Sequence, residues 1–177
     1  MSRPPPLRFL FAHPAHFVAL GCGSGLSPWA PGTAGTLFAW LSFVLLQPLF
    51  SLAAWLVFLA LAFVGGVLVI HKTGLALHEP DHGSIVWDEI VPFWLILTLA
   101  PPGWPWQLAA FALFRLFDIY KPQPARWFDE HLKNGLGVML DDVIAAGYTL
   151  LTLAFARFAL NHWEWRESFL SPALGLQ

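Results

Sequence analysis

Nine of the eleven acidic residues in this 177-residue chain lie between Glu79 and Asp142, although 57 % of the sequence is hydrophobic. They sit in polar segments between long apolar runs: Glu79, Asp81, Asp88 and Glu89 in the first, Asp118 in the second, Asp141 and Asp142 in the third, with Asp129 and Glu130 before the last. A charge at the centre of a membrane helix costs about 2.5–3.5 kcal/mol on insertion scales, so carboxylates at helix ends near hydrocarbon call for a partner. A divalent cation can serve several carboxylates at once. Oxygen ligands without paired cysteines point to Mg²⁺ or a similar hard cation rather than Zn²⁺. His78 and His82 are spaced for one helix face, but Pro80 between them and Gly83 after them make a loop. A histidine zinc site is therefore the weaker alternative.

Each polar segment also has a purely structural reading. Trp87-Asp88-Glu89 opens an apolar helix, where a carboxylate can cap free N–H groups for about 0.5–2 kcal/mol. Capping accounts for one acid, not for Asp88 and Glu89 together with Glu79 and Asp81. Asp141 and Asp142 open the last apolar run and point about 100° apart on a helix, so one would cap and the other ligate. Arg115, Asp118 and Lys121 follow at i, i+3 and i+6, ahead of Pro122. This is either a salt-bridge ladder with a proline stop, or a set in which Arg115 and Lys121 grip phosphate oxygens while Asp118 holds metal. The stretch 21–36, rich in glycine and small hydroxyl residues, runs into the first apolar helix, so Gly32, Thr33, Gly35 and Thr36 could form an anion-binding nest. No Gly-Lys-Ser/Thr follows, which excludes a Walker loop, and close helix packing explains the glycines equally well.

The elements that must position these groups are membrane helices. A mean hydropathy of +0.62, ten Trp, sixteen Phe and 11 % charged residues lie far from the roughly 25 % charge of a soluble domain. The first two spans read as 37–50 and 52–70, a hairpin turning at Gln47, Pro48 and Ser51. Next come 90–100 and 104–117, short arms around a Pro/Gly cluster that tilt or form a re-entrant hairpin, and then 143–160. The reading is one domain over residues 1–177: an all-α integral membrane protein, a small bundle of about four to five membrane helices with a polar site on the cytoplasmic face. Arg3, Arg8, Lys72, Arg115, Lys121, Arg126 and Lys133 fall on one side of this topology and only Arg157 and Arg166 on the other, which places the acids toward the cytoplasm. Trp163 and Trp165 would anchor the far interface. The apolar stretch 9–21 follows a basic start and imitates a signal peptide. His13, Pro14 and His16 interrupt it and no clean cleavage site follows, so it is read as retained and interfacial. With a net charge of −2 and no basic stripe, nucleic acid is excluded as a partner. Cys22, the single cysteine, reads as a buried, inert thiol.

Four runs in order resemble the phosphatidylglycerophosphatase A family. They are Gly-Leu-Ser-Pro-Trp-Ala-Pro-Gly-Thr-Ala-Gly-Thr-Leu at 25–37, Ile-Val-Trp-Asp-Glu-Ile-Val at 85–91, Phe-Arg-Leu-Phe-Asp-Ile-Tyr-Lys-Pro-Gln-Pro at 114–124, and Gly-Leu-Gly-Val-Met-Leu-Asp-Asp-Val-Ile-Ala-Ala-Gly at 135–147. The likeness spans about residues 20 to 150. It implies a Mg²⁺-dependent phosphatase of the bacterial inner membrane that converts phosphatidylglycerophosphate to phosphatidylglycerol. On this reading Asp88, Glu89, Asp118, Asp141 and Asp142 hold metal, with Glu79 joining them, while Arg115 and Lys121 stabilise the transferring phosphoryl group. Gly32, Thr33, Gly35, Thr36, Gly135 and Gly137 would bind phosphate. Pro92 departs from the small residue expected after Asp-Glu-Ile-Val. The expected partners are the lipid substrate and membrane lipid, and the sequence is compatible with a homo-oligomer. Two rival classes remain: a phospholipid headgroup transferase, whose Asp-Gly-x-x-Ala-Arg signature is absent, and a small cation transporter, which would want its acids near the middle of a span.

Overall fold

Proline, glycine and short polar caps set most helix boundaries. The computed structural model describes residues 3–173, apart from the side chains of residue 129 and residues 163–173, and these residues form helices and turns without a strand. Two short helices, α1 (Leu7–Ala12) and α2 (Pro14–Ala19), break at His13. His13 is extended, its Nδ1 accepts the Ala15 N–H at 3.0 Å, and Pro14 takes the first helical position of α2. A ring cap plus the fixed proline φ restarts the helix. A 3-10 segment, Gly21–Leu26, leads to α3 (Pro31–Leu46), and a turn at Gln47–Leu49 leads to α4 (Leu52–Leu77). The Ser51 hydroxyl oxygen accepts the Ala54 N–H to start α4. At its other end His78 turns left-handed and the Glu79 N–H reaches back to Gly74 O at 3.0 Å. α5 (Trp87–Leu99) and α6 (Trp104–Tyr120) form a hairpin, followed by the short α7 (Ala125–His131) and the long α8 (Gly135–Ala173).

α5 is the inner helix. It packs against α3, α4, α6 and α8, and Ile90, Phe93 and Ile96 on it are fully buried. The outer helices show the reverse. Segments Pro31–Leu49, Leu52–Leu77 and Gly135–His162 are long and apolar enough to cross a membrane, and Leu41, Val44, Leu61, Leu68, Phe155 and Phe158 face outward from them. Helices that are apolar all round belong in hydrocarbon. With 13 residues α5 rises only about 20 Å, short of the roughly 30 Å core, so it is embedded between the long helices without crossing by itself. Polar groups within the bundle find partners. Trp55 Nε1–H donates to Thr98 Oγ1 at 2.8 Å, Trp94 Nε1–H to Ala39 O at 2.9 Å, and Trp40 Nε1–H to Gln107 Oε1 at 2.8 Å, as a water-free layer requires.

Several expected boundaries move. α3 begins at Pro31 instead of 37, α4 runs past 70 to Leu77 and so carries His71 and Lys72, and α8 begins at Gly135 instead of 143. An apolar run stops at its first charge, but a helix continues wherever its polar residues reach water or a partner. Cys22 is exposed rather than buried: the 3-10 turn tucks Gly21 and Gly25 inward and leaves residue 22, at φ 56°, outside. The aromatic anchor expected at Trp163 and Trp165 lies outside the described side chains.

Candidate active site

Five carboxylates and two cations gather at the end of the bundle where α5 begins, α6 ends and α8 passes. Asp88 and Glu89 lie in the first turn of α5, Arg115 and Asp118 in the last turns of α6, Lys121 at its left-handed C-cap, and Asp141 and Asp142 in α8. Asp88, Glu89, Asp141 and Asp142 are each no more than 8 % exposed. Capping does not explain them. No side chain caps α5, and α8 starts six residues ahead of Asp141, so neither aspartate stands at a helix start. Asp141 Oδ1 instead accepts the Asp142 N–H at 3.0 Å.

The charges fall into two groups. Arg115 Nη1 lies 2.6 Å from Glu89 Oε2 and 2.7 Å from Asp118 Oδ2. The fully buried Thr36 hydroxyl sits 2.9 Å from both Glu89 Oε2 and Gly32 O, so one proton serves two acceptors. At Gly32 a Cβ would collide with Glu89 Oε1 and stand 2.9 Å from Arg115 Nη2. Gly32 and Thr36 thus belong to the site, as the seat of Glu89 rather than as an open phosphate nest. In the second group Lys121 Nζ lies 2.6 Å from Asp141 Oδ2 and 3.9 Å from Asp81 Oδ2. Asp88 and Asp142 are buried beside these pairs, within the same cluster of negative charge. Two buried atoms lack any hydrogen-bond partner among the described residues: the acceptor Asp88 Oδ1 and the donor Arg115 Nε.

Other expected members are not brought in. The Glu79 side chain is exposed at the end of α4, and Asp81 takes the place expected for it by reaching Lys121. Asp81 was legible as one of the acids in its segment, but which of the two approaches Lys121 is set by the loop, and Asp81 does so while remaining exposed. There the buried His82 accepts the Ser84 N–H on Nδ1 at 3.1 Å. His78, by contrast, is an exposed helix end, so the two histidines do not form a joint site. Gly35 packs against Val86, where a Cβ would come within 2.6 Å. Gly135 lets α8 approach the α4 backbone at Val67 and His71, and Gly137 packs against Leu132 while giving its N–H to Asn134 Oδ1 at 3.0 Å. Both stand at close backbone contacts of α8. Thr33 is half-buried in the first turn of α3.

Among the described residues no three His, Cys, Asp or Glu side chains gather tightly enough to enclose an ion. Glu89 and Asp118 bond Arg115, and Asp141 bonds Lys121. The donor set is still made of hard oxygens, five carboxylates face two cations, and Asp88 Oδ1 has no partner. These properties fit a hard divalent cation.

The family model of phosphatidylglycerophosphatase A matches residues 17–157. A phosphatidylglycerophosphatase A of Haemophilus influenzae is 47 % identical over 152 residues, covering 85 % of this chain and 91 % of that protein. The phosphatidylglycerophosphatase A of Escherichia coli K12 is 38 % identical over 160 residues, 88 % of this chain and 89 % of that one. A protein of Bacteroides thetaiotaomicron, provisionally named a phosphatidylinositol-3-phosphatase, is 40 % identical over 154 residues, 81 % and 94 % of the two chains. No solved structure matches the chain.

Proposed function

The chain belongs to the phosphatidylglycerophosphatase A family, and from that premise we propose that it hydrolyses the terminal phosphomonoester of phosphatidylglycerophosphate at the cytoplasmic face of a bacterial inner membrane, with Mg²⁺ as cofactor. The observation that carries this reading is the pair of unsatisfied buried atoms, Asp88 Oδ1 and Arg115 Nε, within one acidic cluster. A buried acceptor without a donor costs about 1–3 kcal/mol, more when charged, and such a cost is retained where a ligand supplies the partner. Arg115 Nε–H is the free donor for a phosphoryl oxygen, while Nη1 keeps the guanidinium tied to Glu89 and Asp118.

Mg²⁺ would be held by Asp88, Asp142 and Asp141, with Asp118 beside them, and would supply neutralisation of the negative charge that otherwise repels a phosphate dianion. Asp88, whose Oδ1 has no hydrogen-bond partner, would also take a proton from an attacking water. Water gives its oxygen to phosphorus, and the glycerol oxygen leaves with a proton. Lys121 holds Asp141 and the Asp81 segment in register. Lipid tails remain among the outer helices while the phosphate reaches the polar end of the bundle, which explains why the acids are confined to that end.

The test is phosphate release by the detergent-purified chain from phosphatidylglycerophosphate, with Mg²⁺ and then with excess EDTA. Release that EDTA abolishes supports both parts of the reading; release insensitive to chelation overturns the metal, and no release overturns the activity. Phosphatidylinositol 3-phosphate belongs in the same assay because of the name carried by the Bacteroides relative.

A further inference from the structure

We propose that α1, α2 and α4 form a binding site for an anionic phospholipid, separate from the carboxylate cluster, in which His13 and Lys72 hold the lipid phosphate and an apolar cavity beside them takes an acyl chain. His13 caps α2 by accepting the Ala15 N–H on Nδ1 at 3.0 Å. A neutral imidazole that accepts on one nitrogen carries its proton on the other, so Nε2 is a donor. That nitrogen stands 2.7 Å from Lys72 Nζ, an ammonium with donors only. Two donors face each other, and an acceptor oxygen that engages both resolves the contact. Among the described residues Lys72 pairs with no carboxylate. Burial first, then the neighbouring His13 and Lys72, hold His16 below the usual histidine pKa, and its Nδ1 lies 3.0 Å from the Thr73 hydroxyl.

The cavity decides between a lipid and a free anion. It has a volume of about 360 Å³ and is lined by Leu10, Phe11, His13, Pro14, Phe17 and Val18. Apart from the histidine these side chains offer hydrocarbon only, so the space next to the two donors suits an acyl chain and not a hydrated ion. Phe11 and Phe17 are also exposed, continuing the outward apolar surface of the bundle. Such a lipid would also steady the proposed active site, because Ala19 O at the end of α2 accepts the Val86 N–H at 3.0 Å, two residues before Asp88.

The experiment is native mass spectrometry of the detergent-purified full chain with dioleoyl phosphatidylserine, dioleoyl phosphatidylcholine and inorganic phosphate as separate probes. Phosphatidylserine carries no phosphomonoester, so it does not report on hydrolysis. The wild type should retain one phosphatidylserine in preference to phosphatidylcholine. Lys72→Met should weaken it about fivefold, the effect of one basic side chain at a lipid surface. His13→Asn keeps a cap for α2 while losing the ring donor, and should weaken it similarly. Val18→Trp fills the cavity and should displace the lipid with both donors intact. Equal retention by the wild type and all three variants, with unchanged circular dichroism, would overturn the proposal. Equal binding of phosphatidylcholine would overturn its charge selectivity, and binding of inorganic phosphate to the same saturation would overturn the acyl chain. Phosphate release from phosphatidylglycerophosphate, measured on the same preparations, reports on the catalytic reading independently.

Discussion

Around Glu89 the charges close on themselves, whereas around Asp88 they do not. In the first group one guanidinium contacts two carboxylates at 2.6 and 2.7 Å, a buried threonine holds one of them, and a glycine makes the room. Asp88, which belongs to neither ion-pair group, is equally buried and its Oδ1 is without a partner. Asp88 and Glu89 are adjacent carboxylates in the first turn of one helix, so residue type does not separate scaffold from chemistry. The difference lies in satisfaction: a buried charge with good partners holds the fold, and a buried charge without one waits for a ligand.

Four substitutions can break or sharpen this contrast. Arg115→Met strands Glu89 as an uncompensated buried charge and should cost about 3–5 kcal/mol of stability, read by chemical unfolding in detergent; an unchanged stability would deny the closed group its structural role. Asp88→Asn should lower phosphate release by on the order of 10²–10³-fold. It should also leave the unfolding midpoint unchanged or raised, since an unpartnered charge is removed. Near-normal turnover would take Asp88 out of the site. Gly32→Ala forces a methyl group against Glu89 and should destabilise by about 1–3 kcal/mol, the usual range for overpacking; free tolerance would mean that Glu89 shifts easily. The smallest effect is expected for Thr36→Val, about 1 kcal/mol of stability for one hydrogen bond. Its phosphate release should stay within several-fold of the wild type, because Arg115 keeps Glu89 in place. A collapse of activity there would move Thr36 from a positioning residue to one that touches substrate.

The reach of sequence reasoning differs from residue to residue. Asp88, Glu89, Arg115, Asp118, Lys121, Asp141 and Asp142 were all expected at the site, and they do come together at one end of the bundle. The glycines divide. Gly32 lies at Glu89, but Gly135 and Gly137 serve the packing of α8, because a glycine in sequence says that something comes close and not what. Arg115 and Asp118 pair along their helix as the i, i+3 spacing predicts. Lys121, next on the same ladder, reaches across to Asp141 because the helix ends there with a left-handed residue at φ 43°.

By itself the sequence determined the solvent of this protein, its all-α class, the end of the bundle that carries the acids and the family to which the four ordered motifs belong. All of these follow from local composition and from order along the chain. The tertiary structure alone decided which charge meets which: Glu89 with Arg115, Asp81 rather than Glu79 with Lys121, Asp88 with neither, and His13 with Lys72. These pairings join segments remote in sequence, and a displacement of one or two ångströms separates a bonded carboxylate from a free one. Electrostatic partners in a buried site are set at that scale, which no pattern of residue types resolves.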